Sequence, residues 1–309
     1  MTAFWRIKIL TIMKHKSDCK YIILLKVIYI GFAESGTHLI FLYKGEHMEI
    51  TTILGVIVGV IAVVGAMIFK HIDFAVLLNP AAFFVIIVGT VATILNSYPG
   101  ENVNVIGSLF RVLFTKKKGQ SEAEMIELMY ELSKKARSEG LLSLEAKAEE
   151  LEDPFLKKGI RLLVDGTGEE VIEDILETEI SAMEKRHEIN ASIFSSAGTY
   201  APTLGVLGAV FGLIAAMSSI NDTERMAEAI AAAFIATILG IFTGYVLWNP
   251  FAKKLKVKSQ QEVMLKEIIL KGIISMQHGD SPFVLREKLL ACLPKYKQKK
   301  IEAQQNKKE

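Results

Sequence analysis

The sequence predicts an all-α membrane protein, with four transmembrane helices in two hairpins and a helical bundle on the cytoplasmic side. Three observations carry this expectation. The 309-residue chain is 51% hydrophobic with a mean hydropathy of +0.34, too apolar for an ordinary soluble domain. It nevertheless holds 36 basic and 34 acidic side chains, which cluster between long apolar stretches. Finally, a hydrocarbon layer about 30 Å thick needs roughly 20 apolar helical residues to cross it, and four stretches meet that requirement.

The first stretch is 51–69, free of charge, and the second is 74–95, interrupted only by Asn79-Pro80. The third is 195–220 and the fourth about 227–248, with Glu228 at its rim. Lys70-His71-Ile72-Asp73 joins the first pair, and residues 221–225 join the second, so each pair forms a tight hairpin. Basic residues cluster after span two (Arg111, Lys116, Lys117, Lys118) and after span four (Lys253, Lys254, Lys256, Lys258). Loops rich in Lys and Arg stay in the cytoplasm. Both termini are therefore expected on the cytoplasmic side of a multi-pass protein, with the tight turns outside.

Residues 1–47 do not fit this plan. The apolar run 21–33 is short and holds Lys26, and a fifth crossing would leave Arg6, Lys8, Lys14, Lys16 and Lys20 outside. Translation is expected to begin at Met48. The codons of Lys44-Gly45-Glu46 are purine-rich enough to serve as a ribosome-binding site, with His47 as spacer. The alternative is a real but weakly structured arm.

Spans one and two thus occupy 48–96, and 97–192 reads as a cytoplasmic helical domain. Ser121 and Glu124 form a capping box, followed on one face by Met125, Leu128, Met129, Leu132 and Ala136. Glu139-Gly140 turns into a helix over 143–151, which Asp153-Pro154 ends. A third helix covers 155–164, and Asp165-Gly166-Thr167-Gly168 is a turn. The next helix begins at Glu169 and is expected to continue into span three as one rod. Spans three and four occupy 193–250, and 251–294 carries C-terminal helices, the last capped by Ser281 with Pro282 in its first turn. The polar tail 295–309 is expected to be disordered.

The spans hold no Asp, Glu, Lys, Arg or His at mid-depth. Intramembrane ionisable groups mark ion paths, so this chain either moves no ions or relies on a partner for the carboxylate. Small residues recur instead: Gly55 and Gly59 in span one, Gly205, Gly208 and Gly212 in span three, and Ala232, Ala236, Gly240 and Gly244 in span four. Such rows let helices approach closely, within the chain or between copies. Thr203 and Thr237 are hydroxyls that either line a path or back-bond to the preceding turn. A net charge of +2 gives no footprint for nucleic acid. Cys19 and Cys292 suggest no disulfide framework, and the six histidines form no metal-type pair. No nucleophile–base set or phosphate loop points to an enzyme, and no cofactor is expected.

These residues also carry a resemblance. The segment from Ala233 to Phe242, followed by seven residues and then Pro250, is similar to the signature of flagellar stator A subunits of the MotA/PomA family. Residues 201–212 resemble the family's third helix, and Asn79-Pro80 recurs in its second. The resemblance runs from Met48 to about Pro294. It implies a bacterial inner-membrane homopentamer around two B subunits, whose single membrane helix supplies the ion-accepting Asp. Pro202 and Pro250 match the family prolines held to couple ion movement to shape change; physically each is a flexing point or a static kink. Arg137 and Glu145 match the charged pair that contacts the rotor protein FliG; taken alone they are solvated charges. Thr237 matches a family Thr and is expected, with Thr203 as the second hydroxyl, to line the ion path. Ala209 stands where sodium-type members carry Thr, which favours H+ as the transported ion.

The nearest rival within the wider group is an ExbB/TolQ energiser of envelope transport. Its order is one span, a cytoplasmic part, then two spans, whereas here two spans come first. A non-conducting membrane scaffold is the alternative of a different class.

Overall fold

The computed structural model describes residues 49–77, 79–115 and 120–305. Residues 1–48 lie outside the described residues, so the expectations about Met48 and the arm before it fall there. Lys116, Lys117 and Lys118 are likewise outside them. Among the described residues the structure is helical and has no β-strand.

Helix α1 (Ile50–Phe69) is the first span. Its C-terminus closes with His71 in the left-handed region (φ 56°). The Ile72 N–H reaches Met67 O at 3.0 Å and the His71 N–H reaches Ile68 O at 3.2 Å. This is a Schellman closure, which satisfies the last carbonyls and turns the chain sharply. The second span was expected from residue 74 but starts later. Residues Phe74–Leu77 form a 3₁₀ turn, and the regular span α2 is Pro80–Ser97. Proline disfavours helical backbone at the residue before it, and Asn79 is extended, its side chain accepting from the Ala82 N–H at 3.0 Å.

Two short helices, α3 (Gly100–Asn104) and α4 (Ile106–Phe114), lead away from α2. Helix α5 (Glu122–Glu139) starts with the complete capping box: Ser121 Oγ accepts from the Glu124 N–H, and Glu124 accepts from the Ser121 N–H. Helix α6 is Leu144–Glu150, and α7 is Pro154–Val164, capped by Asp153, which accepts from the Phe155 and Leu156 N–H groups. Helix α8 (Glu169–Ser218) has 50 residues. At 1.5 Å per residue it is a rod about 75 Å long, joining the bundle to span three without a break.

Helix α9 (Thr223–Gln277) is its antiparallel counterpart. Span four does not end at Pro250 as a separate element; it passes through a π-helical turn, Thr243–Trp248, and continues as Asn249–Gln277. Helix α10 is Pro282–Ala291, with Ser281 Oγ accepting from the Val284 N–H. The tail departs from expectation, because Lys295–Gln305 forms a helix, α11. Two contacts hold it: Lys297 pairs with Glu122 at 2.5 Å, and Ile301 reaches the bundle core.

Two cores result. The first joins Met125, Met129, Leu144, Phe155, Leu156, Ile160, Leu176, Ile273 and Leu289, all buried, and holds α5 to α10 against the lower parts of the rods. The second lies where the rods meet the ends of the spans. There Phe110, Phe194, Trp248 and Phe251 meet mostly edge to face, with centroids 5.3–6.4 Å apart.

A polar network ties span one to this second core. Lys254 donates to Glu49 and to the Thr51 and Thr52 hydroxyls, and Lys258 donates to Val112 O and Thr115 O at 2.6 and 2.9 Å. A cation at those carbonyls completes the C-terminus of α4. Burial pushes the Glu49 carboxyl up, but the bond from Lys254 and the charges of Lys258 and Lys254 outweigh it and hold the group below the usual carboxylate range. A depressed carboxylate stabilises the fold above its unfolded value and loses that contribution as pH falls through the folded one. Glu49→Ala is therefore expected to cost about 1–3 kcal/mol at neutral pH. The check is the unfolding midpoint of the detergent-solubilised complex, with the gap to wild type closing in acid.

Candidate functional site

The close approach of spans three and four builds the site. A Cβ on Gly240 would lie 2.7 Å from Ala201 O and 2.9 Å from Gly205 Cα, and one on Gly205 would lie 2.9 Å from Ala236 O. Gly212 meets Ala233 and Ala229 in the same way, and Gly208 meets Ala236. These rows are thus used within the chain, with Ala233 taking the place expected of Ala232. Gly55 is different: nothing lies within 4 Å of its Cβ position.

Pro202 stands inside α8. A proline has no N–H, so the carbonyl four residues earlier loses its helical donor; that residue is Gly198. Gly198 O and the Pro202 ring both press on Gly244, whose Cβ position lies 2.8 Å from the carbonyl and 2.7 Å from Pro202 Cγ. The Asn249 side chain lies over Gly198 itself. Gly244 belongs to the π turn, where the Asn249 N–H reaches back five residues to Gly244 O. Pro250 follows directly, exposed, and offers no donor. Pro202 and the π turn therefore meet at one level of the helix pair, at Gly244, and Pro250 lies two residues beyond the turn. Single π turns inside α-helices concentrate at functional sites.

The three path candidates are not brought to one place. Thr237 is half-buried beside Gly205, whose Cβ position is 3.5 Å from Thr237 Cα. Its hydroxyl donates to Ala233 O at 3.3 Å. Thr203 is exposed, donates to Tyr200 O at 2.7 Å, and lies by helical register on the face of α8 away from span four. Ala209 is half-buried and shares the Pro202 side of the helix, seven residues on. A back-bonded threonine has spent its donor and keeps its acceptor lone pairs. Thr237 can therefore still accept a hydrogen bond.

The charged pair lies far from the spans. Arg137 is in the last turn of α5 and Glu145 in the first turn of α6. Both are exposed, and neither makes an ion pair among the described residues.

Sequence reasoning missed several parts. Tyr98 Oη bonds Ser192 Oγ at 3.0 Å and Ser196 Oγ at 2.8 Å, tying the end of span two to α8. The π turns at Phe84–Val88 and Thr243–Trp248 were also missed. A proline four residues from each π segment's start or within two of its end was the available signal. Gly198 was findable as the residue one turn before Pro202.

Four apolar spans, a glycine-packed pair of them broken by proline, and a long-legged bundle outside the membrane define a multi-pass helical membrane subunit. Its spans carry no titrating group at mid-depth. The chain belongs to the MotA/TolQ/ExbB proton channel family, in its motility protein A branch. The sequence profile of that family matches residues 147–268, and the profile described as Motility protein A N-terminal matches residues 53–140. Motility protein A of Bacillus subtilis is 49% identical over 247 residues, covering 80% of this chain and 92% of that protein. Motility protein A of Borreliella burgdorferi is 32% identical over 246 residues, covering 80% and 94%. Among solved structures, the flagellar MotAB stator complex from Bacillus subtilis matches with a TM-score of 0.76 at 48% identity, covering 81% of this chain and 98% of that one. The C. jejuni MotAB structure matches with a TM-score of 0.76 at 31% identity, covering 80% and 97%.

Proposed function

We infer that this chain is the A-type subunit of a flagellar motor stator, which conducts ions together with a MotB-type partner and drives the rotor. One observation carries the reading furthest: spans three and four pack closely on each other through glycine and alanine, yet none of the four spans holds a mid-depth group that could carry an ion. A partner helix bearing an Asp supplies what is missing. The relatives solved as MotAB complexes support such a partner.

In this reading five copies surround two partner helices in the bacterial inner membrane, with both termini and the bundle in the cytoplasm. The ion is H+. Each proton reaches the partner's Asp beside Thr237, whose remaining lone pairs accept from the protonated carboxyl. Neutralising that Asp changes its fit against spans three and four. The strain falls on the level set by Pro202 and Gly244, where a helix carbonyl is already without its donor and the ladder is already widened, with Pro250 two residues beyond that turn. The ring then shifts about the partner, and the rods carry the motion to Arg137 and Glu145, which meet FliG on the rotor.

Two measurements test this. Co-expression with the partner, its periplasmic plug removed, is expected to acidify the cytoplasm, and no flux with both proteins present in the membrane would leave a scaffold. Arg137→Glu is expected to cut torque at least ten-fold while leaving that flux unchanged, because a surface charge steers a transient contact without touching the path. Loss of flux in this variant would remove Arg137 from the rotor face.

A further inference from the structure

Between Arg137 and Glu145 the chain turns through Gly140-Leu141-Leu142-Ser143-Leu144. Three features make this turn rigid. Gly140 adopts φ 84°, which ends α5 and which a residue with a Cβ resists. Ser143 closes the 3₁₀ turn twice, its N–H reaching Gly140 O at 3.1 Å and its hydroxyl reaching the same oxygen at 2.6 Å. Leu144 is fully buried and Leu141 packs against the bundle core. Leu142 alone points out, 73% exposed. A single exposed leucine is ordinary on a protein surface. This one is held at the tip of a fixed turn, with an unpaired cation eight residues from an unpaired anion on either side of it.

We propose that Leu142 is the apolar anchor of the rotor-facing surface. It enters a small apolar pocket on the rotor protein, with an acidic group there opposite Arg137 and a basic group opposite Glu145. The proposal rests on the stator reading and adds what that reading lacks. Exposed ion pairs contribute little affinity on their own, whereas binding energy concentrates in a few anchors that lose water fully. Charges speed the encounter, and the leucine holds it long enough to transmit force. Because the turn is already fixed, docking orders little more of the chain. The charges beside the turn are mixed in sign, Arg137 before it and Glu139 and Glu145 around it in sequence, which suits a protein surface better than an anionic lipid surface.

The test uses the full chain with its B partner in cells lacking their own stator, reading stall torque of a bead-loaded motor and ion flux of the unplugged complex. Leu142→Ser is expected to reduce stall torque about five-fold or more with flux at the wild-type level, and Leu142→Met to restore most of the torque. Wild-type torque in Leu142→Ser, in a strain where Arg137→Glu abolishes it, would overturn the anchor and keep the stator. Reduced flux or membrane level in Leu142→Ser would make Leu142 a structural residue and also overturn it. No rotation by the unmodified chain, with flux intact, would sink the stator reading and the anchor with it.

Discussion

Gly240→Val is expected to abolish motility by preventing the subunit from assembling. The added Cβ would meet two backbone atoms, Ala201 O at 2.7 Å and Gly205 Cα at 2.9 Å, and backbone cannot rotate away as a side chain can. Spans three and four must separate, and with them go the Gly205–Ala236 and Gly212–Ala233 contacts in the same row. Overpacking of a close-packed interior costs about 1–3 kcal/mol even where side chains yield, and here the loss spreads along a whole helix pair. The measurement is the amount of chain in the membrane and the size of the purified complex. Gly55→Val is the comparison. Nothing lies within 4 Å of that position in the protomer, so the folded subunit should persist. Normal complex from Gly240→Val would show that the two helices are not packed as described.

Pro202→Ala is expected to lower torque at least ten-fold while leaving the protein as stable as before or more so. The opposite signs make this substitution informative. A proline inside a helix costs about 3 kcal/mol through its missing N–H and its ring, so alanine returns a donor to Gly198 O. Against this stands the lost packing of the ring on Gly244. A residue kept only for packing would show lower stability and lower activity together. A residue kept so that the helix can yield would show normal assembly, an unchanged or raised unfolding midpoint, and little rotation. Full torque in Pro202→Ala would make the proline a static kink.

Much of this architecture was legible because membranes impose simple rules. Length and apolarity gave the four spans, and the capping signals at Ser121 and Ser281 gave helix starts that the structure repeats, whereas Asp153 was read only as a helix end and also caps the helix that follows. Local chemistry also read correctly where it was self-contained, as at Asn79-Pro80, although the extended residue before the proline moved the start of the regular span to Pro80. The stretch 295–305 was misjudged because its composition is polar while its ordering comes from two distant partners, Glu122 and the core around Ile301. Long-range facts of this kind leave no local trace. The Glu49–Lys254 network joins residues 205 apart in sequence, and Tyr98 finds Ser192 and Ser196 94 and 98 residues away. At the site, sequence named the prolines and Thr237. It grouped Thr203 with Thr237, but the helical register turns Thr203 to the opposite side of its helix. The π turn at Thr243–Trp248 was missed because Tyr245, Val246 and Leu247 suit an α-helix equally well, leaving Pro250 as its one local trace.

The most direct test of the central claim is swimming speed in sodium-free medium, in cells that lack their own stator and express residues 48–309 with the genomic B partner. Swimming is expected, which would show a stator, protons as its fuel, and a sufficient chain from Met48. No swimming with or without sodium, with both proteins in the membrane, would contradict the assignment; recovery on adding sodium would contradict the ion.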